Sequence, residues 1–137
     1  MGSAVRLVRL VQFGLIASIV LYVAAGEFVR HKPAADSGVF YALSFVAISI
    51  VGATLVVRRT LVLPSEALLH QKPDDSLTFA RWRSGYLIMY AMCETLATLG
   101  LVLRLLGYGF SQVWGFYLGG FALLLLFSPR APRPEFK

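Results

Sequence analysis

Glu94 lies near the middle of the apolar run from Gly85 to Leu106 and has no charged neighbour in the chain. A carboxylate in such surroundings is costly, so it must be paired, protonated, turned toward a wet cavity or put to use. Tyr86, Tyr90, Glu94 and Thr98 follow at intervals of four. On a helix this places them along one slowly turning face and offers the carboxyl a hydroxyl above and below. The chemistry available to such a group is proton or cation exchange, with Glu94, Tyr90 and Thr98 as the candidate ion site. A structural hydrogen bond to a neighbouring helix is the equal alternative. Arg104 stands ten residues further on, about 15 Å along a helix axis, too far for a direct pair with Glu94. Its expected partner is Glu27, near the end of the first apolar run, or the lipid headgroups.

Other chemistries find little support. Cys93 is the only cysteine, which excludes an internal disulfide and a thiol-pair redox site, and its mid-span position reads as a small packing residue. His31 and His70 fall on opposite sides of the membrane in the topology below, so they cannot share a metal or haem within one chain. No Ser-His-Asp pattern, metal-hydrolase spacing or phosphate-cradling glycine loop is present. The expectation is a protein that is not an enzyme, with no cofactor and no metal.

The elements that position these residues are membrane spans. Of 137 residues, 58% are apolar, and the mean hydropathy is +0.72. A bilayer core about 30 Å thick takes about 20 helical residues to cross. The apolar runs predict spans at about 7–28, 39–57, 85–106 and 110–127, the last being short, with a cytoplasmic loop at 58–84. Residues 1–137 form a single membrane domain, because no polar segment is long enough for a soluble domain of ordinary size. Arg6 and Arg9 before an apolar run imitate a secretory signal, but the run is longer than a signal core and reads as a retained first helix.

Within the loops, Asp36 or Ser37 can cap the second helix, Pro64-Ser65-Glu66 can restart a helical turn, and Lys72-Pro73-Asp74-Asp75-Ser76 breaks it, with Asp75 or Ser76 capping the third span. Trp82 reads as an interfacial anchor between Arg81 and Arg83. The tail at 128–137, rich in proline, should be extended or disordered.

Lys and Arg counts set the orientation. Arg6, Arg9, Arg58, Arg59, Lys72, Arg81, Arg83, Arg130, Arg133 and Lys137 fall on one side, and Arg30, Lys32 and Arg104 on the other. Ten against three puts both termini in the cytoplasm of a cell inner (plasma) membrane. The net charge of +6 is thus a topology signal, with anionic lipid as a secondary partner and nucleic acid excluded as one. Gly14 with Ser18, and Gly115 with Gly119 and the adjoining Gly120, make small-residue faces that let helices approach closely, either within the chain or between copies. Tyr108, Phe110, Trp114, Phe116 and Tyr117 cluster where an aromatic belt sits, which is favoured over an aromatic ligand pocket.

The segment Ala91-Met92-Cys93-Glu94-Thr95-Leu96-Ala97-Thr98-Leu99-Gly100-Leu101-Val102 resembles the carboxylate helix of the rotary ATP synthase c subunit, whose pattern is Ala-x-x-Glu-x-Leu-Ala-x-x-Gly-Leu-Val. Gln71-Lys72-Pro73-Asp74 is a loose echo of that family's Arg-Gln-Pro loop. By this resemblance Glu94 would carry a proton. The likeness covers one helix and part of a loop, and the second span lacks the family's closely spaced glycines. The whole layout is more similar to small uncharacterised four-helix bacterial membrane proteins that share such a helix. Small multidrug transporters also have four helices and a membrane glutamate, but theirs is on the first helix.

Together these readings predict an all-α integral membrane protein, four transmembrane helices in a bundle. Its expected role is a non-catalytic structural or accessory subunit, in the lipid bilayer as a homo-oligomer or with other membrane subunits. The alternatives are c-subunit-like proton or cation translocation centred on Glu94 and, ranked below it, a dimeric multidrug-type transporter.

Overall fold

A computed structural model describes residues 2–29, 32–33 and 36–129. Helix α1 spans Gly2–Phe28, α2 spans Ser37–Val57, a π-helical turn spans Arg58–Val62, α3 spans Leu63–Gln71, α4 spans Ser76–Leu105 and α5 spans Phe110–Leu126. No strand occurs among the described residues. The second helix, the π turn and the third helix form one rod from Ser37 to Gln71, so the chain folds into four rods. Three of them are long and apolar enough to cross a membrane. The fourth, α5, has 17 residues, about 25 Å at 1.5 Å per residue, shorter than a typical hydrocarbon core.

Local chemistry accounts for the helix ends. Asp36 precedes α2 and accepts from the Gly38 N–H. Asp75 precedes α4 and accepts from the Leu77 N–H and the Thr78 hydroxyl. Both use a short acidic side chain to satisfy a donor that the first turn leaves open. At the other end of α4, Gly107 has φ of 99°. The Tyr108 N–H returns to the Leu103 carbonyl and the Gly107 N–H to that of Arg104. This is a Schellman closure, and it needs a residue without a Cβ at the left-handed position.

In the stretch at 58–84, the helical turn expected at Pro64-Ser65-Glu66 and the helix expected from Asp75 or Ser76 are both present and account for most of it. Only Lys72–Asp75 interrupts the helices there, and the rest is helical. Pro64 lacks an N–H and would leave the Thr60 carbonyl without its ordinary partner. The preceding turn widens instead, with the Leu63 N–H reaching the Arg58 carbonyl five residues back, and the helix continues through the proline. Trp82 differs from the expected anchor: it is 0% exposed, stacked on Phe79 and edge-on to Tyr86. It is a core residue, in one buried cluster with Val62, Leu69 and Tyr86. Of the predicted tail, 130–137 lies outside the described residues, as do Arg30 and His31.

Helix α4 is the common neighbour of the other elements. Along α1, Gly26 meets Leu101 and Glu27 meets Arg104, while nearer the start Tyr22 meets Glu94, so α1 and α4 run parallel. Thr54 meets Met92 and Val62 meets Gly85, so the second rod runs antiparallel to α4. Helix α5 is antiparallel as well, with Tyr117 against Gly100 and Gly120 against Cys93. The start of α1 and the end of α5 consequently share one end of the molecule. There the Gln12 side chain, 5% exposed, donates to the Leu124 carbonyl at 2.6 Å.

Of the glycines marked as small-residue faces, Gly120 makes a tight crossing, and the other two tight crossings fall at Gly100 and Gly85. A Cβ at Gly120 would lie 2.8 Å from the Cys93 carbonyl oxygen, one at Gly100 would lie 2.9 Å from Phe116 Cβ, and one at Gly85 would lie 2.8 Å from Val62 Cγ2. Gly14 and Gly115, by contrast, are exposed and have nothing within 4 Å of that position. Gly119 touches only Leu96, at 3.3 Å, and Ser18 is half-buried.

Two outcomes are expected. Gly120→Ala should destabilise the fold by about 1–3 kcal/mol through overpacking against a backbone atom, whereas Gly115→Ala should be neutral or stabilising by up to about 1 kcal/mol; thermal unfolding in detergent reads both. The second concerns Asp75, whose pKa is held below the usual 3.8, first by the Thr78 hydrogen bond and further by backbone N–H groups and Lys72. A depressed folded pKa gives stability that is present above the unfolded value and lost as pH falls through the folded one. Asp75→Asn keeps the cap and should flatten that acid-side loss in a pH series of melting temperatures.

Candidate functional site

Glu94 projects from the middle of α4 at the edge of its contact with α1 and is half-buried. Its Oε1 accepts from the Tyr22 hydroxyl at 2.8 Å. Thr98 donates to the Glu94 backbone carbonyl at 2.9 Å. Tyr22, Glu94 and Thr98 therefore form one small polar cluster between two parallel helices. Among the described residues nothing hydrogen-bonds to Glu94 Oε2.

Of the candidate ion-site residues, Thr98 bonds the Glu94 backbone carbonyl and not the carboxyl. Tyr90, one turn below Glu94, turns away and donates to the Phe127 carbonyl at 2.9 Å. The partner that sequence reasoning missed is Tyr22. A signal for it was present: if Glu27 pairs with Arg104, α1 and α4 must lie side by side and parallel. Ten residues inward from that pair, Ala17 is level with Glu94, and Tyr22 is little more than a turn away.

Glu27 and Arg104 do meet, with Nη2 to Oε1 at 3.1 Å and Nε to the same oxygen at 3.1 Å. Arg104 Nη1 donates to the Tyr108 carbonyl at 3.0 Å, and the Tyr108 hydroxyl donates to the Asp36 carbonyl. This ties the end of α1, the cap of α2 and the α4–α5 turn together. The Arg104 and Glu27 side chains are 14% and 50% exposed, so the ion pair itself contributes about 0–1 kcal/mol and chiefly positions its neighbours. At the opposite end, Gln12 and Tyr90 satisfy carbonyls that the last turn of α5 leaves open. Arg58 lies 4.9 Å over the Phe127 ring, and Tyr86 donates to Glu66 at 2.7 Å. These groups border a polar pocket of about 40 Å³.

The aromatic cluster divides. Tyr108 and Tyr117 are buried, while Phe110 and Trp114 are exposed. Trp114, Tyr117 and Phe121 line, with Ile19 and Val23, an open apolar groove of about 340 Å³ between α1 and α5. A second apolar groove, of about 270 Å³, runs past Ala47, Gly115 and Gly119. Both are shallow and apolar, the form of a lipid-facing surface. Cys93 is buried at the α4–α5 crossing. No cluster of three or more His, Cys, Asp or Glu suited to a metal occurs among the described residues.

No protein-family model, curated protein or solved structure matches this chain. The site must therefore be read from its own geometry. It offers one carboxyl, one phenol and one threonine hydroxyl at mid-helix, a set suited to hydrogen bonding, proton exchange or charge pairing. A double-mutant cycle with Tyr22→Phe and Glu94→Leu, which removes the acceptor that Gln would keep, should give a coupling of about 0.6 kcal/mol and not above about 2, the range of hydrogen bonds between membrane helices. Unfolding in bicelles measures it.

Proposed function

We propose that the protein is a non-catalytic multi-pass component of a bacterial inner membrane, with four spans, both ends in the cytoplasm, and a structural or accessory role in a larger membrane assembly. The observation that carries this reading is the outward direction of Gly14 and Gly115, small residues on exposed helix faces where an added Cβ would meet nothing within 4 Å. Small residues on a lipid-facing surface forgo side-chain packing, and what they offer in return is close approach of another helix. The basic residues at the Gln12 end support the cytoplasmic assignment. With four spans, α5 would cross where the bilayer thins or where neighbouring protein shields its ends.

A second reading has a specific observation in its favour. Glu94 is half-buried, has one oxygen open and is held by a phenol that can exchange a proton with it. This suits the proton or cation translocation that the c-subunit resemblance implies.

Native mass spectrometry of the protein in native nanodiscs separates the two. A complex with other subunits, or a dimer, is expected; a closed ring of many identical copies would favour translocation, and Glu94→Gln should then abolish proton flux in vesicles without loss of fold.

A further inference from the structure

The seam between α1 and α4 has an unusual lining. One side of the helix pair is closed by α5, and the second rod meets α4 on its far face, through Met92 and Gly85. The remaining side is open. It is bordered on α1 by Ser18, Tyr22 and Ala25 and on α4 by Ala91, Glu94 and Thr98, of which Ala25 and Ala91 are exposed and the others half-buried. Apart from Tyr22 and Glu94 these side chains are small, so the backbone of a third helix could come close. At the floor of the seam stands a carboxyl with Oε1 held by Tyr22 and Oε2 without a hydrogen bond among the described residues. In hydrocarbon a carboxylate is stabilised best by an opposite charge with hydrogen-bonding capacity.

A second copy of this chain is poorly equipped to supply that charge. The described cations sit at the rims of the apolar runs, as with Arg6 and Arg9, Arg58 and Arg59, and Arg81 and Arg83, and Arg104 is already engaged with Glu27. A homotypic contact would bring hydroxyls or a second carboxyl to Glu94, but no mid-span cation.

We infer that the α1–α4 seam docks a membrane-spanning helix of a different protein that carries a lysine or arginine at mid-span, with that cation seated on Glu94 Oε2. The inference rests on the accessory-subunit reading and names the chemistry of the partner.

The test uses the full chain in nanodiscs and two synthetic single-span Leu-Ala helices, one with a central lysine and one with leucine in its place. Association is read by energy transfer. The lysine helix should bind at least about tenfold more tightly than the leucine helix. Glu94→Gln should erase that preference while helicity and melting temperature stay unchanged, and Ala91→Leu, which fills the seam from an exposed position, should weaken the lysine helix alone. Equal binding of the two helices, or a preference that survives Glu94→Gln, overturns the inference. Partners present in native nanodiscs without any lysine preference overturn it and leave the accessory role standing. A chain that remains solitary in native nanodiscs overturns the accessory role and this inference with it.

Discussion

The close backbone approach between α4 and α5 is the contact on which the remaining geometry depends. Gly120 lies directly against the Cys93 carbonyl, and Gly100 faces Phe116 and Tyr117. Without a Cβ at these points the helices come close enough for many weak dispersion contacts to form along their length. That proximity brings the last turn of α5 beside Tyr90 and Gln12, whose side chains take up its open carbonyls. Helix α4 then serves as the post against which α1 and the second rod are aligned, at Gly26 and Gly85 respectively.

Polar groups follow a consistent pattern around that post. Each end of the structure has a network that joins several rods: Glu27, Arg104, Tyr108 and Asp36 at one end, and Gln12, Tyr90, Glu66 and Tyr86 at the other. Between them the helices are mostly apolar, and their hydroxyls are largely spent on their own backbones, as with Ser44, Ser49 and Thr54. Glu94 departs from the pattern. It is a charge-capable group at mid-helix, satisfied on one side by a different helix and open on the other.

Much of the helical layout was legible because hydrophobic run length is a strong signal. Runs of about 20 apolar residues bounded by Arg, Pro and Asp leave few alternatives to spanning helices. The Asp36 and Asp75 caps were legible for a similar reason, since each is a short acidic residue before an apolar run. What could not be read was which face of each helix meets which neighbour. The spans are apolar nearly all round, so periodicity carries little direction, and a visible pair such as Gly115 and Gly119 looks the same whether it faces lipid or protein. Gly100 and Gly120, which make the tight contact, belong to patterns no more distinctive. Pro64-Ser65-Glu66 was legible as the start of a helical turn, but not the widened turn before it, which joins that helix to the preceding one without a break. At the site, four-residue spacing could not show that Tyr90 is drawn to the end of α5 while the carboxyl's donor comes from α1.

The parallel pairing of α1 and α4 has a consequence for the order in which the molecule comes together. Tyr22 and Glu94 are 72 residues apart, and Gln12 and Leu124 are 112 apart. The ribosome makes α1 first, yet its polar side chains have no native partner until the third and fourth rods have emerged. Gln12 in particular must wait until α5 is almost complete. Contacts between neighbouring segments, such as the Val62–Gly85 crossing, can close early; those of α1 carry the larger loop-closure entropy and close last. The first helix synthesised is thus the final one to be locked, and the Leu124 carbonyl near the end of α5 receives the hydrogen bond that locks it.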